Sequence, residues 1–89
     1  IYIYANIYIN FIKYCFNQRR KILVNRLLEI SENEKINSNF FNTKNLNKKN
    51  IEIFFKTNNI KIDSRPENLS VENFYKLFEF MFDTSKFKN

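Results

Sequence analysis

Eighty-nine residues with a formal net charge of +6 make one small domain or one piece of a larger protein, able to bury roughly 60–70% of the surface its unfolded chain would expose. Eleven Phe and an aromatic share of 18% supply large buried area per residue and partly offset that size. With no His, no Gly and a single cysteine, Cys15, the composition excludes an internal disulfide, the usual Cys/His zinc site, a Cys–His nucleophile pair and every glycine-rich phosphate cradle.

No catalytic, cofactor-binding or metal-binding residue is therefore expected within the segment. Cys15 reads as a small buried hydrophobe. The abundance of Asn, Lys, Ile, Phe and Tyr is what an A/T-rich coding sequence tends to produce, so part of the charge reflects composition. Its distribution says more: residues 1–30 carry five Lys/Arg against one acid, residues 31–50 four against two, and residues 51–89 six against six. The basic excess belongs to the first half. A chain opening at Ile1 without Met suggests a fragment.

Ile1-Tyr2-Ile3-Tyr4 is β-prone and reads as a short strand end. Asn6 then offers a cap for a first helix over residues 7–16, with Tyr8, Phe11, Ile12, Cys15 and Phe16 along one side. Asn6, Asn10 and Lys13 interrupt this apolar run, which is shorter than the about 20 residues a bilayer requires, so no membrane span is expected. A signal peptide is not expected either, for want of a basic start and a small-residue cleavage site.

Residues 16–30 place a cluster of cations directly on an apolar helical repeat. Ile22, Leu23, Leu27 and Ile30 recur at spacings of three and four and predict the core stripe of a second helix. With Asn17 as its N-cap, Arg19, Arg20 and Lys21 fall in the first turn, where the helix dipole disfavours cations by about 0.3–1 kcal/mol each. A bound phosphate backbone would compensate. Should the chain run helically through Asn17, that argument disappears and the cluster is an ordinary solvated face. From the cluster alone the solvated face is the more economical reading.

Residues 31–50 are polar and rich in Asn and Lys, with only Ile36, Phe40, Phe41 and Leu46 to bury, and read as a long mobile connection with little function of its own. Shortening residues 31–49 to a turn is expected to leave the fold intact, because closure entropy changes slowly with loop length. Ile51, Phe54 and Phe55 mark a short third helix, which Asn59 closes in the left-handed conformation. Arg65-Pro66-Glu67-Asn68-Leu69-Ser70 forms a rigid approach to the last helix. Pro66 biases Arg65 to extended backbone, Ser70 is the N-cap, Glu72 suits the dipole, and Leu69 and Phe74 occupy the positions of a hydrophobic staple. Arg65 reads as a partner for a nearby carboxylate such as Glu67 in preference to an RNA contact. Phe74, Leu77, Phe78, Met81 and Phe82 form the clearest stripe in the chain and predict core.

Two of these stretches, Phe16-Asn17-Gln18-Arg19-Arg20-Lys21 with Asn25 and Leu27 downstream, and Arg65-Pro66-Glu67-Asn68-Leu69-Ser70 opening a terminal helix, together resemble the C-terminal domain of the bacterial-type small-subunit ribosomal RNA adenine dimethyltransferases. The similarity covers residues 11–28 and 50–82. It implies an all-α fold, a small orthogonal bundle of about four short helices spanning residues 1–89, appended to an upstream Rossmann-like domain. That upstream domain would bind S-adenosylmethionine and carry the catalytic Asn-aliphatic-Pro-Tyr motif. This segment would contribute docking on small-subunit ribosomal RNA or a pre-ribosomal particle, with Arg19, Arg20 and Lys21 facing the RNA and Phe16 as a buried anchor; Arg26, close to them in sequence, is expected to face the RNA as well. The resemblance thus reverses the order of the two readings of the basic cluster.

The chain departs from the family in several places. Arg26 stands where a small polar residue is usual and Val24 where a basic one is frequent, which moves one charge to another helical face. Asn59 replaces a customary Gly, and the 31–49 connection is longer than in typical bacterial members. The expected state is a monomer, cytoplasmic if bacterial and otherwise in an A/T-rich organelle such as a mitochondrion or plastid-like body. The competing readings are a family relative recruited to another nucleic acid, such as a large-subunit methylase or an organellar transcription factor, and a small protein-interaction domain with incidental charge.

Overall fold

The computed structural model describes residues 2–30, 38–83 and 85. Among these residues four helices are arranged as a small all-α bundle: α1 (Tyr2–Asn17), α2 (Leu23–Leu28), α3 (Lys48–Thr57) and α4 (Val71–Met81). Short 3-10 turns lie at Ser38–Phe40, Thr43–Asn45 and Pro66–Asn68. The Cα radius of gyration, 12.2 Å, is close to the roughly 12 Å of a tightly folded chain of this length.

Helix α1 is longer than its sequence suggests. Tyr2, Ile3 and Tyr4 are helical, not extended, and Asn6 lies inside the helix and caps nothing; Ile1 is outside the described residues. β-propensity is mostly a statement about packing on a pleated sheet, and with no sheet among the described residues to join, Ile and Tyr follow the helix. The buried side is Ile7, Phe11, Tyr14 and Cys15 at the i, i+4, i+7, i+8 spacing, while Phe16 and Ile9 are exposed. A helix apolar nearly all round does not announce which side it buries.

The α4 stripe is buried as its spacing demands, with Phe74, Leu77, Phe78, Met81 and Phe82 all 4% exposed or less. Ser70 is the N-cap, its Oγ accepting from the Asn73 N–H at 3.1 Å, and Glu72 lies in the first turn. The core between α1 and α4 is aromatic. Phe11 meets Phe78 and Phe82 at centroid distances of 5.8 and 5.4 Å, Tyr8 stands edge-on to Phe78 at 5.0 Å, and Phe16 stacks on Phe74 at 5.5 Å. Edge-on and offset pairs of this kind add about 0.5–1.5 kcal/mol each beyond area burial. Phe16 is therefore a half-exposed lid on Phe74 and not the buried anchor the resemblance implied.

Part of the Asn-rich connection departs from what its composition suggests. Residues 31–37 lie outside the described residues. From residue 38 onward the chain is built into the fold: Phe41 is 3% exposed, stands edge-on to Phe82 at 5.2 Å, and pairs with it in an isolated antiparallel bridge. The Asn42 N–H donates to Met81 C=O at 2.9 Å and the Asp83 N–H to Phe40 C=O at 2.8 Å. Asn45 Nδ2 donates to Phe80 C=O at 2.8 Å. Asn47 caps α3, its Oδ1 accepting from the Asn50 N–H at 2.8 Å. These asparagines occupy backbone donors and acceptors, which is what short amide side chains do at turns and caps. A mobile connection therefore cannot extend over residues 38–49.

Asn59 closes α3 as expected, with φ 58°. The Ile60 N–H reaches back to Phe55 C=O at 2.8 Å and the Asn59 N–H to Lys56 C=O at 3.2 Å, the two bonds of a Schellman motif. Ile60 and Phe55 are both buried beside it.

Candidate nucleic-acid interface

The basic cluster is a turn, not the start of a helix. Asn17 is the last residue of α1, and α2 begins only at Leu23 with Ile22 in the cap position, extended (φ −63°, ψ 135°) and without a side-chain cap. The reason is the core. A continuous helix would carry Leu23 about 12 Å beyond Cys15, whereas both residues are fully buried here. The chain turns at residues 18–20, closed by the Lys21 N–H donating to Gln18 C=O at 2.9 Å.

This placement overturns the dipole argument. Arg19, Arg20 and Lys21 follow the C-terminal end of a 16-residue helix, where its field favours cations. The first N–H of α2 is not waiting for an anion either, since Leu23 donates to Ser64 C=O at 2.8 Å. What survives is geometric: three consecutive cations are exposed on a turn held by buried Tyr14 and Cys15 on one side and by Leu23, Val24 and Leu27 on the other. Lys21 is the most constrained of the three, with Nζ 3.5 Å from Glu29 Oε1.

Arg26 does not belong to this surface. It is 5% exposed, its guanidinium lies 3.8 Å over the Tyr14 ring, and Nη2 donates to Tyr14 C=O at 2.7 Å. In return the Tyr14 hydroxyl donates to Arg26 C=O at 2.6 Å, and Glu29 Oε2 stands 3.6 Å from Nη1. Arg26 clamps α1 to α2, so its assignment as an RNA-facing residue is corrected. Burial pushes the Cys15 thiol from its ordinary 9.0 up to about 12, outweighing the same guanidinium, which favours the thiolate. Cys15 is a protonated, inert core residue.

The two stretches that carried the resemblance are joined in space. The Leu23–Ser64 bond ties the start of α2 to the residue before Arg65, and the turn at Pro66–Asn68 packs on α1. Within that turn the Arg65 N–H donates to Asn68 Oδ1 at 2.9 Å, which fixes the loop without the Arg65–Glu67 pair expected from sequence. The ion pairs among the described residues are Lys21–Glu29, Arg26–Glu29 and Lys76–Glu72.

Lys48 is the cation sequence reasoning missed. It lies with Lys49 in the first turn of α3, so the dipole penalty inferred for the basic cluster falls on these two instead. Lys48 also shares an open cleft with Ile22, the residue next to Lys21. No local signal marks it, because its Asn/Lys-rich context reads as a solvated connection. Among the described residues no group of acidic or thiol side chains could hold a metal, and no helix is long and apolar enough to cross a membrane. Comparison with protein-family models, with curated proteins and with solved structures finds no match.

Proposed function

We propose that this chain is the RNA-docking helical domain of an S-adenosylmethionine-dependent ribosomal RNA adenine dimethyltransferase that acts on small-subunit RNA. In this reading the cofactor and the chemistry belong to a separate Rossmann-like domain, and the segment itself positions the RNA. The observation that carries it is the basic turn: Arg19, Arg20 and Lys21 exposed together between two buried anchor points. Guanidinium forks match phosphate geometry, and a turn whose backbone is pinned at both ends keeps the three cations side by side. The resemblance of both this turn and the Arg65–Ser70 stretch to that family supplies the choice of RNA and reaction. The compartment follows the same reading, cytoplasm for a bacterial source and otherwise an A/T-rich organelle.

The test is binding of small-subunit ribosomal RNA by the chain and by its Arg19→Gln, Arg20→Gln, Lys21→Gln triple variant. Weaker binding by a variant that keeps its helical circular-dichroism spectrum supports the reading. Equal binding removes it. Titration calorimetry with S-adenosylmethionine should show no uptake by this chain alone; saturable uptake would contradict the division of labour.

A further inference from the structure

We propose that the open cleft between α2, α3 and the 60–63 loop receives a single unpaired guanine of the RNA whose phosphates lie on the basic turn, an inference that rests on the RNA-docking reading above. The cleft has a volume of about 330 Å³, at the lower end of the roughly 300–1,000 Å³ of small-ligand sites. Ile22 and Ile62 give it apolar walls and are 37% and 42% exposed, so each has a face left over for a flat ring. Splayed single-stranded bases are recognised in such places, by packing on their faces and hydrogen bonds to their edges.

The polar lining selects the base. Glu52, Asp63 and Asn25 are the acidic and amide residues of its lining. Neither carboxylate takes part in an ion pair or side-chain hydrogen bond among the described residues, so both keep their acceptor capacity. A carboxylate cannot donate at neutral pH, and it suits a base edge that offers adjacent N–H donors. Guanine does so through N1–H and the N2 amine, and its O6 accepts what the Asn25 amide donates. Uracil presents one donor between two acceptors, and its carbonyls would face the carboxylates. Lys48 lines the same cleft and the exposed 19–21 turn immediately precedes Ile22, so the phosphates flanking a bound base have cations beside them.

Fluorescence anisotropy with the full chain tests this, using single-stranded oligouridine and the same oligomer with one central guanine. The guanine oligomer should bind about tenfold more tightly, the discrimination expected of one good bidentate contact. Asp63→Asn and the Glu52→Gln, Asp63→Asn pair should erase that ratio while leaving oligouridine affinity unchanged or higher; melting temperatures establish that the variants are folded. Equal affinity of the wild-type chain for both oligomers, with salt-dependent binding retained, overturns the guanine site and leaves the docking reading standing. A preference that survives both variants also overturns it. No binding of either oligomer overturns the guanine site, and the titration with small-subunit ribosomal RNA then decides the docking reading separately.

Discussion

Arg26 illustrates how a single side chain changes role once its surroundings are known. By sequence it is one more cation beside a basic cluster; in the fold it spans Tyr14 and Glu29 and ties α1 to α2. A charged hydrogen bond at that depth contributes about 1.5–3 kcal/mol and the ring contact up to about 2, with the total discounted for desolvation. Arg26→Ala should therefore lower stability by roughly 2–4 kcal/mol in urea unfolding. RNA binding by the folded fraction should be unchanged. A stable Arg26→Ala protein with weakened RNA binding would restore the sequence-based assignment. Cys15 makes a second prediction at this scale. Its folded pKa is raised from 9.0 to about 12, so the neutral thiol stabilises the fold fully below pH 9, and that contribution is lost as pH rises from about 9 to 12. Stability measured against pH should fall more steeply in that window for the wild type than for Cys15→Ala, which lacks the group. Parallel curves would mean that the thiol is not buried as described.

Elements were legible where one periodic pattern and one cap agreed. The stripe of α4 with Ser70 before it, and α3 with Asn59 after it, each combine an apolar spacing with a residue whose backbone chemistry fits only an end. The failures share a cause: propensity and composition are silent about partners in space. Tyr2, Ile3 and Tyr4 favour strand only if a sheet exists. The Asn-rich stretch looks solvated until Phe41 finds Phe82 and Asn45 finds the Phe80 carbonyl. Of the predicted RNA-facing residues, Arg19, Arg20 and Lys21 are exposed together, Arg26 is turned inward, and Lys48 could not have been found, since its neighbour Ile22 lies far away in sequence. Phe41→Ala is the test at this scale. A mobile connection predicts no thermal cost, whereas the packing described predicts roughly 3–5 kcal/mol, comparable to Phe78→Ala in the centre of α4. A melting temperature unchanged by Phe41→Ala would return residues 38–49 to the status of a linker.

At the scale of the whole molecule, the proposed function gives the fold two jobs to separate. Aromatic packing of α1 against α4 holds the bundle, and the short α2 exists to bring the chain back to that core after the turn. The cations on the turn contribute little to this, beyond a favourable position at the end of α1 and one half-exposed Lys21–Glu29 pair of the kind worth about 0–1 kcal/mol. A surface so lightly coupled to stability is free to serve a polyanion. The measurement that decides it is the slope of log affinity for small-subunit ribosomal RNA against log salt, taken for the wild-type chain and for the Arg19→Gln, Arg20→Gln, Lys21→Gln variant. Each phosphate contact contributes about 0.7–0.9 to that slope, so three lost contacts should flatten it by roughly two to three units, with the melting temperature unchanged or slightly lower. Coincident slopes and affinities for the two proteins would contradict the account, because the turn would then be nothing more than solvated charge.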